Sequence, residues 1–224
     1  MRKYYKYKIN LTFGNILAII VFVLATIPAF IFSDGYVIDY DIKFLSIFLL
    51  AYLLWTFLHE ILHGIGHMIC GVKRNELSFG AYLEKGILFC LVRKEVNKKG
   101  ILVSLLFPFF FIGVVTYTIG LLINNQLLIL LSIFNISGAS IDLLMFYNFI
   151  KLGNDITYIE PGDGTSFYIM SNKDINKLTG FTLLEKGEYN KDMFNIQNKV
   201  FDISKSSIVI LGLIVVMSLV LIFI

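Results

Sequence analysis

Long stretches of this chain carry no formal charge at all: residues 9–33, 44–58, 101–141 and 206–224. A helix rises about 1.5 Å per residue, so about 20 apolar residues cross the roughly 30 Å hydrocarbon core of a bilayer. Runs of this length are too long and too uniform for the core of a soluble domain. With 57% hydrophobic and only 16% charged residues, the chain reads as an integral membrane protein. The polar triplet Asn124-Asn125-Gln126 splits the 101–141 run into two spans joined by a tight turn. Spans are therefore expected at about 11–32, 44–70, 101–123, 127–150 and 206–224.

Charge distribution orients these spans. Arg2, Lys3, Lys6 and Lys8 precede the first run, whereas the loop 34–43 carries Asp34, Asp39 and Asp41 against one lysine. The loop after the second span holds Lys73, Arg74, Lys85, Arg93, Lys94, Lys98 and Lys99. By the positive-inside rule the N-terminus and this second loop face the cytoplasm. The first run lacks a small-x-small cleavage site and exceeds a signal-peptide core, so it reads as a retained span. Net charge is only +3, without a basic face, and nothing points to nucleic acid. Cys70 and Cys90 fall on the cytoplasmic side, where a disulfide is not expected.

Within the second span stands His59-Glu60-Ile61-Leu62-His63. Helix residues four apart share a face, so His59 and His63 can aim two imidazole nitrogens at one Zn²⁺ ion. Glu60 then stands beside the metal, where a general base takes a proton from water. Ionisable groups inside a membrane helix are costly and demand a partner, and a metal ion is the simplest one.

The other intramembrane acid is Asp142, in Asn135-Ile136-Ser137-Gly138-Ala139-Ser140-Ile141-Asp142. Asn135, Gly138 and Asp142 lie at i, i+3 and i+7 and share one helix face. His63 precedes Gly71 by eight residues and Asp142 precedes Lys151 by nine, which places both about 12–14 Å below the cytoplasmic surface. Asp142 is accordingly the expected third ligand. The rival is His67, but histidines at i, i+4 and i+8 of a straight helix spread over about 12 Å of rise and cannot all reach one ion; it fits better as a lining residue or a helix C-terminal cation.

Residues 77–83 and 87–92 flank Glu84-Lys85-Gly86 and suggest a β-hairpin at the membrane surface, whose edge could pair with an extended substrate. Residues 151–205 form the only sizeable polar segment, long enough for a small cytoplasmic subdomain. Gly162-Asp163-Gly164 reads there as a turn between extended pieces. Its acids Asp155, Glu160 and Asp163 are further candidate ligands, although ordinary solvent exposure explains loop acids more readily. The expected fold is thus an all-α integral membrane protein of about five transmembrane helices, with a small membrane-surface β-hairpin and a small cytoplasmic α+β segment. Residues 1–150 would form the core, 151–205 the cytoplasmic segment and 206–224 the last helix.

His59-Glu60-Ile61-Leu62-His63-Gly64 in a membrane helix, a hairpin and a later intramembrane Asp resemble the site-2 protease type of intramembrane zinc metallopeptidase. The chain is more closely similar to a family of small bacterial membrane proteins described as zincin peptidases, from residue 44 to about 150. The resemblance implies a bacterial cell-membrane location and cleavage of peptide bonds in membrane-associated protein substrates. It also implies a ligand role for Asp142 and a substrate- or oxyanion-positioning role for Asn135. No proline lies between Asn135 and Asp142, and Leu143 follows Asp142 where that type carries glycine. Two other readings stay open: a non-catalytic partner-binding protein with a structural zinc site, and an ion or proton transporter using the same side chains as a relay. Oligomeric state is not legible.

Overall fold

A computed structural model describes residues 2–32, 41–82, 87–161, 165–175, 177–190, 201–203 and 205–223. The expected turns at Glu84-Lys85-Gly86 and Gly162-Asp163-Gly164, and the acids Asp34, Asp39 and Asp163, lie outside the described residues.

The apolar runs form helices: α1 (Leu11–Phe32), α2 (Ile42–Ile69), α3 (Lys98–Pro108), α4 (Thr116–Leu122), α5 (Gln126–Gly138), α6 (Ser140–Lys151) and α7 (Lys205–Phe223). Asp41 caps α2 by accepting the Phe44 N–H at 2.6 Å, and Asn125 caps α5 by accepting that of Leu128 at 2.9 Å. A π-helical stretch, Phe109–Val115, joins α3 to α4, so that residues 98–122 run as one continuous helical span. Among the described residues, three helical segments are long and apolar enough to cross a membrane; a fourth follows if α5 and α6, bent by 45°, count as one. The outward faces of α1 and α2 expose large apolar side chains such as Phe30 and Leu54, a surface suited to lipid.

The bend between α5 and α6 falls at Ala139, inside the small-residue run. No proline causes it; the Ala139 N–H is shared between the Asn135 and Ser137 carbonyls. Asp142 consequently sits in the first turn of α6 rather than midway along a straight helix.

Sheet content exceeds the expectation of an all-α chain with a small appendage, and the molecule is a mixed helix-and-sheet protein. Strands β1 (Lys3–Ile9), β4 (Val96–Asn97), β5 (Thr157–Ile159), β6 (Ser166–Ser171) and β7 (Phe181–Glu188) form one sheet in the order β4-β5-β6-β1-β7. The basic N-terminal segment is thus not a loose flank: it pairs antiparallel with β6 (Tyr5 opposite Ile169) and with β7 (Tyr5 opposite Lys186). Tyr5 and Tyr7 point into a core shared with Ile101, Leu105, Met145 and Phe149, which seats the sheet on α3 and α6. The polar segment after α6 holds strands and no helix before α7 among the described residues. Because β1, β4 and β5 share one sheet, the N-terminus, the end of the second loop and the chain after α6 lie on the same side.

A second sheet, in the order β3-β2-β8, joins the hairpin β2 (Leu77–Tyr82) and β3 (Ile87–Val92) to β8 (Phe201–Ile203), which runs parallel to β2. The hairpin packs through β3 on α2, and α7 also packs on α2. At the contact of α2 with α3 the helices nearly touch: a Cβ on Gly66 would lie 2.7 Å from Ser104 Cα. Only glycine allows that approach, and it brings the backbone of α3 beside the histidines of α2.

Candidate metal centre

Three side-chain atoms from two elements converge beside that crossing. His59 Nε2 lies 3.1 Å from His63 Nε2 and 3.2 Å from Asp142 Oδ2, and His63 Nε2 lies 3.5 Å from Asp142 Oδ2. A Glu60 carboxylate oxygen joins the two histidines in a group whose ligating atoms all lie within 4.8 Å of one another. The i, i+4 spacing on α2 supplies the two imidazoles, and the bend at Ala139 presents Asp142 to both.

The hydrogen bonds behind these rings fix their tautomers. His63 Nδ1 lies 2.9 Å from the Ser104 carbonyl oxygen, which can only accept, so Nδ1 carries the proton. His59 Nδ1 lies 2.8 Å from Asn135 Oδ1. Asn135 Nδ2 in turn donates to the Pro108 carbonyl at 3.4 Å, which orients the amide and makes His59 Nδ1 a donor too. Both Nε2 lone pairs therefore face each other and a carboxylate. Three acceptors within 3.5 Å repel unless a proton or a metal ion sits among them.

Zinc fits this donor set. At Zn–N and Zn–O distances of about 2.0–2.2 Å, a tetrahedral site separates its ligand atoms by about 3.3–3.6 Å, against the 3.1–3.5 Å found here. Each imidazole also has the outer hydrogen bond that metal-bound histidines carry.

The Ser104 carbonyl is available because of Pro108. In an α-helix the N–H of residue 108 would bond to the carbonyl of residue 104, and proline has no N–H to give. The freed carbonyl turns to His63. Neither partner stands out in a search for ligand-type side chains, since one is a backbone atom; the sequence signal was a proline in the middle of an apolar span.

Of the other sequence candidates, His67 is buried on the next turn of α2, lines the same cavity, stands outside the converging set and has no partner for Nδ1. Asp155 accepts from Ser171 Oγ and the Asn172 N–H, holding a turn rather than the site. Glu160, a further ligand candidate from the sequence, accepts from the Tyr158 hydroxyl and lines the cavity beside the histidines. Burial raises its carboxyl from the usual 4.5 to about 7, with the neighbouring carboxylates of Glu60 and Asp142 pushing the same way.

Three cavities meet at Glu60. One of about 230 Å³ runs from the histidines to the sheet, past His67, Tyr158 and Glu160. Another of about 230 Å³ opens on the opposite side between Tyr52, Trp55, Phe134 and Asn135. The third, about 430 Å³, lies between α2 and the hairpin. Glu60 and Leu88 of β3 line all three. Leu88 is a further residue that sequence reasoning did not single out, for nothing in a hydrophobic strand marks one leucine among others.

The sequence profile of a family described as "putative zincin peptidase" matches residues 52–157, and over that stretch the chain is similar to the family. The stretch contains all five residues of the constellation, His59, Glu60, His63, Asn135 and Asp142, and the similarity points to a zinc-using metallopeptidase. No curated protein and no solved structure matches the chain.

Proposed function

We propose that this protein, similar over residues 52–157 to the zincin peptidases, is a membrane-embedded zinc metallopeptidase acting on membrane-associated protein substrates. The observation that carries the reading is the convergence of two Nδ1-protonated histidines and a carboxylate beside Glu60, whose own carboxylate accepts the Cys90 N–H and is not drawn in among the three. His59, His63 and Asp142 are the ligands, and Asn135 and the Ser104 carbonyl hold the two imidazoles in their binding tautomers. Zinc bound there supplies Lewis acidity toward water and a substrate carbonyl. Glu60 takes the proton from the attacking water and returns it to the leaving amine, which is why a carboxylate must stand beside the ligands without being one of them.

Substrate presentation follows from the second sheet. β2 is paired on both sides, whereas β3 is an edge strand among the described residues, with Leu88, Phe89 and Cys90 facing the cavity beside Glu60. An extended segment adding to that edge would lay its backbone past Glu60. A transmembrane substrate must unwind first, since a helix hides its carbonyls in hydrogen bonds. Five crossings, with α7 as the last and the N-terminal sheet in the cytoplasm, accord with the basic loops and the shared side of β1, β4 and β5.

The test is Glu60→Gln in detergent-purified, zinc-loaded protein, assayed on a peptide library with metal content measured in parallel. Peptide hydrolysis should fall by about two to four orders of magnitude, given what catalytic acid–base groups contribute, while zinc is retained. Equal hydrolysis by Glu60→Gln and wild type would remove the peptidase reading.

A further inference from the structure

The largest of the three cavities takes no part in holding a metal or moving a proton. It encloses about 430 Å³ between α2 and the hairpin, walled by Phe57, Ile61, Ile65 and Met68 on one side and Leu77 and Phe79 on the other. Its lining is apolar but for Glu60 and Arg74. That size falls in the range of small-molecule and side-chain binding pockets.

Its position constrains its occupant. Glu60 and Leu88 border this cavity and both of those on the histidine side, so it opens directly beside the proposed acid–base residue. Side chains of an extended peptide alternate between its two faces, about 3.3 Å apart along the strand. With a peptide laid along β3 past Glu60, one face points toward α2, where this cavity begins. Among the described residues the wall offers no acidic group apart from Glu60 and no hydrogen-bonding side chain apart from Glu60 and Arg74, so a polar occupant would lose its water without compensation.

We propose that this cavity is the specificity pocket of the enzyme and receives a large apolar side chain, Leu, Met or Phe, of the substrate residue adjoining the scissile bond. The proposal rests on the peptidase reading and adds the substrate class. Leu88, opposite Ala81 in the hairpin, divides this pocket from the other two cavities. Small residues at the same position leave the pocket unfilled. Leu should therefore be favoured over Ala by roughly 10- to 100-fold in kcat/KM, since a single methylene in such a pocket is worth about tenfold or more.

The experiment uses full-length protein in detergent with zinc. Synthetic decapeptides with one photo-leucine in a Gly/Ser background are irradiated with the Glu60→Gln variant, and labelled residues are mapped by mass spectrometry. Wild type digests the same peptides carrying Leu or Ala. Labels on Phe57, Ile65, Met68 or Phe79, cleavage beside Leu and the expected preference support the pocket. Ala81→Phe, which narrows it, should bring the preference down toward unity; if that variant does not fold, Phe57→Ala should instead shift preference toward Trp. Cleavage with labels elsewhere, or cleavage indifferent to Leu against Ala, overturns the pocket and leaves the peptidase standing. Labelling of the pocket without cleavage by wild type defeats the peptidase reading and leaves an apolar-peptide site. Labelling by a photoreactive fatty acid that the Leu peptides cannot displace assigns the cavity to lipid and overturns the proposal.

Discussion

Pro108→Ala isolates what one backbone carbonyl contributes to the metal centre. In the native chain the Ser104 carbonyl has no donor four residues on, and it accepts His63 Nδ1–H at 2.9 Å. Alanine restores an N–H at position 108 that competes for the same oxygen. Disturbing an outer-shell hydrogen bond of a metal ligand costs about 10- to 100-fold in affinity. A carbonyl has two lone pairs and can serve both donors, if less well, so the low end applies: about tenfold, or about 1.4 kcal/mol. The same substitution removes a helix-breaking residue, whose cost in a helix interior is about 3 kcal/mol; that exceeds the roughly 1.6 kcal/mol lost with two methylenes of the buried ring, so the metal-free protein should melt at a higher temperature. The two effects have opposite signs, and that distinguishes the mechanism from general damage. Zinc affinity by chelator competition and thermal unfolding of the metal-free protein, both in detergent, measure them. An unchanged zinc affinity in a folded variant would refute the role given to Pro108.

The remaining predictions concern packing and pH. Gly66→Ala pushes a Cβ to 2.7 Å from the Ser104 backbone, which cannot rotate away; thermal unfolding should show a loss of about 1–3 kcal/mol, and an unchanged melting temperature would mean the two helices part freely. Glu160 titrates at about 7 in the folded protein against 4.5 ordinarily, so between those values the folded state holds the extra proton. Its contribution to stability is complete below pH 4.5 and is lost as pH rises through about 7. Glu160→Gln should flatten that decline in melting temperature relative to wild type, and parallel curves would show that burial does not raise this carboxyl.

The helices were legible because each is a local pattern: uncharged runs of bilayer length, and an i, i+4 histidine pair that needs only helical geometry to converge. Asp142 could be nominated because depth below a loop is also a local count, and the structure brings its carboxylate against both histidines. What sequence did not give was pairing between distant segments. The Lys-Tyr-Tyr-Lys-Tyr-Lys stretch has strand-like aromatic and basic character, but its partners are β6 and β7, far along the chain, and a basic flank explained it equally well. The bend at Ala139 comes without proline, since small residues permit a kink without requiring one. Glu160 reaches the cavity only through the sheet, so as a sequence feature it was one loop acid among several. The Ser104 carbonyl belongs to no side chain and becomes visible only with the hydrogen bond it makes.

The central claim is that His59, His63 and Asp142 together hold one zinc ion. Zinc per protomer in detergent-purified protein tests it most directly, with Asp142→Ala and His67→Ala measured beside wild type. About one zinc in wild type and in His67→Ala, with loss in Asp142→Ala, is the expected result, since three protein ligands complete such a site. A folded wild type that takes up no zinc even when it is supplied, or a site lost with His67 and kept without Asp142, would contradict the account.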